Sequence, residues 1–403
     1  MQPSLIGNHT RLAAGIALLL ALPGLSRGQQ PAASPLAVAP VRGYLSVEAF
    51  ELRKEFVLDF DAVAERVGAA GVTTIDATNR VALEKAIGDW LVPLCPVSVD
   101  GRPLAMDLDR VHFVRPDVEK GLVVEDRESV AAAEALVGVV FAAALDGPPG
   151  EVRVRWEVFP PDGSEAVVEA GVRGQRTARK LSMAAPELVW KNESGLTAPA
   201  LLKVPAAPVR TWGDVIGSVP GWAAMGCCLA GLLPLLLGRR RLAVGTAPVG
   251  LVLGGLLLAW GWQRDSRIVV SAEQADEICY ALLRNVYHAF DYRRESDIYD
   301  TLARSATGDL LTRIYLEIQR SLQVETQGGA RVRVTDVDLR RCEPGGSMVG
   351  GFEAECEWVA VGTVTHWGHT HDRVNRYRAR LSVAPVAGEW RLVGLELVSE
   401  ERI

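Results

Sequence analysis

The side chains best equipped for chemistry gather late in the chain. Three of its six histidines, His366, His369 and His371, fall in the stretch His-Trp-Gly-His-Thr-His-Asp that ends at Asp372. Neutral imidazoles ligate zinc, copper or nickel, and a nearby carboxylate serves as a further ligand or orients a ligand ring. The stretch reads as a hairpin turn, where side chains converge. A zinc or copper site on these four residues is one expectation, although the spacing matches no structural-zinc pattern. The plainer expectation is an exposed polar turn without any cofactor, with Trp367 and the histidines lying on neighbouring strands.

A second chemistry belongs to cysteine. Cys342 and Cys356 are equidistant from position 349, the middle of a predicted hairpin loop. Residues symmetric about a turn face one another in an antiparallel ladder, so a cross-strand disulfide is geometrically open to this pair in an oxidising compartment. A bulge in the glycine-rich loop would shift the register and remove it. Cys279 reads as a core residue of its helix, and Cys227 and Cys228, inside an apolar run, as small packing residues. Carboxylate pairs such as Asp59 with Asp61 and Asp107 with Asp109 read as solvated edges.

The elements that must position these groups divide the chain. Residues 1–28 read as an export signal: Arg11, an apolar stretch from Leu12 to Leu22, the breakers Pro23 and Gly24, and small residues at Ser26 and Gly28. Residues 29–43 are a Pro/Ala/Gln-rich leader. Two longer apolar runs, Val215 to Leu237 and Val244 to Trp262, contain no ionisable residue, and each is long enough to cross a ~30 Å hydrocarbon core. Between them Arg239, Arg240 and Arg241 make a short positive loop, which stays in the cytoplasm. Residues 213–263 therefore form a two-helix transmembrane hairpin, with Trp212, Trp222, Trp260 and Trp262 towards its outer ends. Gly254 and Gly255, with Gly226 and Gly231 opposite, would let the helices approach closely. This topology puts both soluble regions on the periplasmic side of the inner (cytoplasmic) membrane.

Residues 44–192 read as a mostly-β, sandwich-like domain. Phe50, Leu52, Phe56, Leu58 and Phe60 alternate with mostly polar residues, a half-buried strand. Asn79 or Thr78 begins a helix carrying Val81, Ala82, Ala86, Ile87, Trp90 and Leu91 on one face. An apolar run from Ala135 to Leu145 and the alternating Glu151-to-Phe159 segment look like two strands of one hairpin. Residues 193–212 are a Pro-rich linker. The net charge of −6, spread in both signs along the chain, supports no nucleic-acid partner.

Residues 264–403 have the clearest pattern. Ser271 and Gln274 form a capping box. Ala275, Ile278, Cys279, Leu282, Leu283, Val286, Tyr287 and Phe290 make one apolar helical stripe. Two more helices follow, one carrying Leu310, Leu311, Ile314, Ile318 and Leu322, and then four strands joined by short turns. On the third strand Tyr377, Ala379, Leu381 and Val383 alternate with Arg376, Arg378 and Arg380. This order, with the opening Leu282-to-Ala303 segment, resembles the NTF2-like (cystatin-like, SnoaL-like) α+β family. The resemblance implies a sheet curled around a cone-shaped cavity, in some members an isomerase or dehydratase site and in many others catalytically silent. Tyr287, His288, Asp291 and Tyr292 lie near the end of the first helix, but none matches a family catalytic motif. The whole reads as a multidomain envelope protein, a non-enzymatic interaction or assembly module whose partners are the lipid bilayer and other envelope proteins. The alternatives are a small-molecule binder or isomerase-like enzyme using the cavity, and a metal-binding protein using the histidine turn.

Overall fold

The computed structural model describes residues 39–117, 121–172, 175–208, 216–264, 268, 270–326, 331–346, 348 and 350–403, excluding the side chains of 262–264, 321–326, 331, 332, 366, 369 and 371. The N-terminal region is β-rich. Its strands are β1 (Val41–Val47), β2 (Glu51–Asp59), β3 (Thr74–Asp76), β4 (Val97–Val99), β5 (Arg102–Leu104), β6 (Asp107–Asp117), β7 (Gly121–Val124), β8 (Ser129–Ala131), β9 (Leu136–Ala144), β10 (Glu151–Arg155), β11 (Ala166–Val172), β12 (Gln175–Leu181) and β13 (Glu187–Lys191). Helix α1 (Arg80–Leu91) lies between β3 and β4. A larger sheet runs β12-β11-β1-β2-β9-β6-β7, and a smaller one β13-β10-β4-β5.

One core joins the two sheets. Leu52, Phe56 and Phe141 from the larger sheet and Val152, Val154 and Leu188 from the smaller are all buried in it, with Trp156 among them. The Phe56 and Trp156 rings lie 5.0 Å apart, and the indole Nε1 donates to the Val158 carbonyl at 2.6 Å. The burial of Val152, Val154, Trp156 and Val158 follows their alternation with Arg153 and Arg155.

Three local expectations change. The 135–145 and 151–159 segments are not a hairpin: β9 lies between β2 and β6 in the larger sheet, while β10 pairs with β13 and β4 in the smaller. A strand as evenly apolar as β9 suits a central position, and the chain then crosses the core through Gly147-Pro148-Pro149-Gly150, whose prolines cannot continue a ladder. Helix α1 buries Leu83, Ile87, Gly88 and Leu91 and leaves Val81 74% exposed, so its inward face is rotated from the expected stripe. Strand β2 is buried on both faces, not one, apart from its last residue.

Beyond the linker come two apolar helices, α2 (Val219–Leu236) and α3 (Arg240–Arg264), and then the C-terminal region with α4 (Ala272–His288), α5 (Glu295–Ala303), α6 (Gly308–Thr326), β14 (Arg331–Gly346), β15 (Phe352–His366), β16 (His369–Val386) and β17 (Glu389–Arg402). Helices α2 and α3 are long and apolar enough to cross a bilayer and expose leucines such as Leu232, Leu233, Leu236, Leu251 and Leu256. They touch through small residues. A Cβ on Gly231 would lie 3.0 Å from the Gly250 Cα, and Thr246 Oγ1 donates to the Gly231 carbonyl at 3.0 Å. Gly226 and Gly255, expected in that contact, face open space instead.

The four strands β14 to β17 form an antiparallel sheet in sequence order. The capping box of Ser271 and Gln274 starts α4, whose apolar stripe packs on the sheet. Trp358 and Tyr377 stack at 5.5 Å on the inner face, and Trp358 Nε1 donates to the Tyr287 hydroxyl at 3.1 Å. Phe352 and Trp390 pack nearby, edge to face. The linker runs over this region. The Asn285 side chain accepts from the Leu202 N–H at 2.7 Å and donates to the Leu202 carbonyl at 2.9 Å, and Ala206 bridges to Glu389.

Candidate functional site

The site grows from the turn between β15 and β16. His366 pairs with His369 in the ladder, so Trp367 and Gly368 are the two loop residues, at φ 38° and 77°. Positive φ at both central positions is the turn whose twist matches a hairpin, and it favours glycine or asparagine. A tryptophan there carries a backbone cost of about 1–2 kcal/mol, so it needs a reason beyond the turn.

The reason lies on the outer face of the larger N-terminal sheet. Trp367 is 3% exposed and packs with Tyr44, Val57, Val114 and Val140. Gly138 of β9 lies directly beneath, where a Cβ would overlap the indole. Arg110 stands over the same ring, 5.7 Å from its centroid. Gly368 is held at both backbone groups: its N–H donates to Glu55 Oε2 at 3.2 Å, and its carbonyl accepts from Arg176 at 2.7 Å. A Cβ at Gly368 would overlap the Tyr44 ring. Burial pushes the Tyr44 hydroxyl pKa up to about 12.

Beside this contact the β1–β2 end of the sheet meets the end of α4. Glu51, 1% exposed, takes Arg293 at 3.2 Å and Arg333 at 2.7 Å. Arg293 also reaches Asp109 at 2.7 Å. Phe50 stacks on Tyr292 at 4.2 Å. Burial works against the Arg333 charge, but Glu48 and Glu51 outweigh it and raise its pKa. Asp109, expected at a solvated edge, is thus a buried ion-pair partner, because the C-terminal region covers it.

A cavity of about 230 Å³ lies at this junction. Its walls come from β1–β2, the linker at Leu196, Pro199 and Ala200, the end of α4, and the outer residues Thr363 and Thr365 of β15. His288 and Asp291 face it as a pair, Nδ1 to Oδ2 at 2.7 Å. A carboxylate on one ring nitrogen fixes the tautomer and orientation of the imidazole.

The other sequence-derived candidates are placed as follows. Cys342 and Cys356 face one another across β14 and β15, joined by a disulfide with a Cα separation of 4.1 Å. Cys279 comes within 4.8 Å of both sulfurs. With its neighbours bonded to each other this cluster offers one thiol, and burial pushes the pKa of that thiol up to about 12, so it is neither a metal cage nor a nucleophile. The metal site proposed on His366, His369 and His371 falls on side chains outside the described residues. Asp372 is exposed and accepts from Thr363 Oγ1 at 3.4 Å. Arg239, Arg240 and Arg241 are exposed at the turn from α2 to α3.

Sequence reasoning missed Glu51, Arg293, Arg333 and the docking role of Trp367. The available signal was the tryptophan itself, since turn chemistry gives no reason for a large ring at a hairpin tip. Comparison of the chain with protein-family models and with curated proteins finds no match.

Proposed function

We propose that this chain is an integral protein of the cytoplasmic membrane with both soluble regions in the periplasm, acting as a non-enzymatic interaction module. One observation carries the reading. The two regions dock on one another through Trp367 and Glu51, and the two apolar helices lie between them in sequence. Regions in contact stand on the same side of a bilayer, which requires an even number of crossings between them. Two spans satisfy that requirement. The arginine turn supports the same topology. Cations at a helix N-terminus oppose the helix dipole by roughly 0.3–1 kcal/mol each, so helix energetics does not account for Arg240 and Arg241, whereas cytoplasmic retention does.

The element order of α4 to β17 supports the NTF2-like reading, but the space between its helices and sheet holds Trp358, Tyr377, Tyr287 and Trp390, all buried. That filling favours an assembly role over an enzymatic cavity inside this region. The histidine turn is engaged through Trp367 and Gly368, which favours docking over metal delivery. A second reading, small-molecule binding, is supported by the junction cavity with its His288–Asp291 pair.

Cysteines introduced at Arg240 and at Ile403, each in a chain with Cys95, Cys227, Cys228 and Cys279 replaced by alanine, test the topology with a membrane-impermeant maleimide. Labelling of the Ile403→Cys protein in spheroplasts, and of the Arg240→Cys protein only after lysis, is the expected result. Recovery of the intact chain in the soluble fraction without detergent, or the reverse labelling, would overturn it.

A further inference from the structure

We propose that the junction cavity binds a neutral, polyhydroxylated ligand of monosaccharide size; this rests on the small-molecule reading above. Size is the first argument. About 230 Å³ corresponds to roughly seven or eight waters at ~30 Å³ each. That is room for one sugar ring.

Charge is the second argument. The wall is rich in ionic side chains, and each is engaged within the protein. Arg333 is held by Glu51 and Glu48, Arg284 by Asp336 and Arg53 by Glu55, Arg176 donates to the Gly368 carbonyl and the Ser46 hydroxyl, and Asp291 pairs with His288. An ionic ligand would compete for groups already held in these contacts, which is costly in a partly desolvated site. A hydroxyl group adds no charge. It donates to the free lone pairs of a paired carboxylate and accepts from the remaining N–H groups of a paired guanidinium.

The third argument is the character of the remaining wall. Thr335, Thr363 and Thr365 bring hydroxyls from β14 and β15, and Leu196, Pro199 and Ala200 give one apolar side from the linker. A sugar ring has the same division, hydroxyls around its edge and C–H groups on its faces. The linker wall is held in place by the Asn285 clamp on Leu202, so the cavity exists only while the two regions and the linker are assembled together.

The test uses the full chain in detergent and titrates glucose, galactose and N-acetylglucosamine against glucuronate, glucosamine and citrate, read by calorimetry. Saturable binding of at least one neutral sugar, with Kd below about 10 mM and at least tenfold tighter than its charged counterpart, is expected. Thr365→Val and Asp291→Asn, which keep side-chain shape, are each expected to weaken it about tenfold. Preferential binding of citrate, glucuronate or glucosamine would sink the polyol assignment and leave the cavity a ligand site. Silence from every probe, with hydrogen exchange of the β2 amides still reporting a docked junction, would sink both. Sugar binding undiminished in both variants would place the ligand elsewhere and overturn the proposal.

Discussion

Two sheet faces in this molecule carry nearly the same sequence pattern and meet opposite fates. On β2, Glu51, Arg53 and Glu55 alternate with core residues; on β16, Arg376, Arg378 and Arg380 do the same. The β16 arginines stay exposed and pair with Glu401, Glu357 and Glu396 across the open face of their sheet. The β2 charges are between 0% and 4% exposed, because Gly368 of the β15–β16 tip lies on Glu55 while Arg293 and Arg333 cover Glu51. Alternation tells which residues face away from a core. It does not tell whether that outer face meets water or another part of the chain. The energetic meaning differs accordingly, since an exposed pair contributes about 0–1 kcal/mol whereas breaking a buried one costs about 3–5 kcal/mol.

Removing Glu51 gives the largest expected effect. Glu51→Ala leaves the half-buried Arg293 and Arg333 without their shared, fully buried carboxylate and is expected to cost about 3–5 kcal/mol in chemical denaturation. A loss no larger than that of Arg378→Ala would erase the distinction between the faces. Trp367→Ala follows, at about 3 kcal/mol, and Gly138→Val is expected to undock the same contact from below. Hydrogen exchange of the β2 amides reports both, and unchanged protection in both variants would count against the docking. Asn285→Ala removes the two-point hold on Leu202 and is expected to cost about 1–3 kcal/mol, with new proteolytic cuts between 196 and 208.

Smaller effects sharpen the contrast. Burial raises the Glu400 carboxyl pKa above the ordinary range, although hydrogen bonds from Tyr377 and Asn375 pull it back. A raised folded-state pKa means the contribution is complete below the unfolded value of about 4.3 and lost as pH rises through the folded value. Wild type is therefore expected to gain stability relative to Glu400→Gln as pH falls from neutrality towards 4, read from denaturation midpoints. Arg378→Ala, on the solvated face, is expected to change stability by less than about 1 kcal/mol.

What could be read from sequence follows the range of the interactions. The α4 stripe, its capping box and the alternation of β15 and β16 are local, and they stand in the structure where their periodicity puts them. The crossing from β9 to β10 is not legible in the sequence, because two strands joined by a tight loop are hairpin-like locally, whatever sheet each joins. The cover on β2 was invisible for a similar reason. Glu55 and the Gly368 amide that it accepts from are 313 residues apart, and no window along the chain contains both. The junction cavity inherits that limit, since its walls come from β1–β2, the linker, α4 and β15.

The long separation between β2 and its cover also bears on how the molecule is made. All strands of the larger N-terminal sheet are present once β12 has been made, while the ring that will seal it is still unsynthesised. During that interval the nascent sheet presents a naked side to its surroundings, the kind of surface that draws unfinished chains into aggregates. Glu51, Arg53 and Glu55 keep that side wetted until Trp367 arrives. Charges that are costly to bury in the finished protein are the polar part of that side before it is covered.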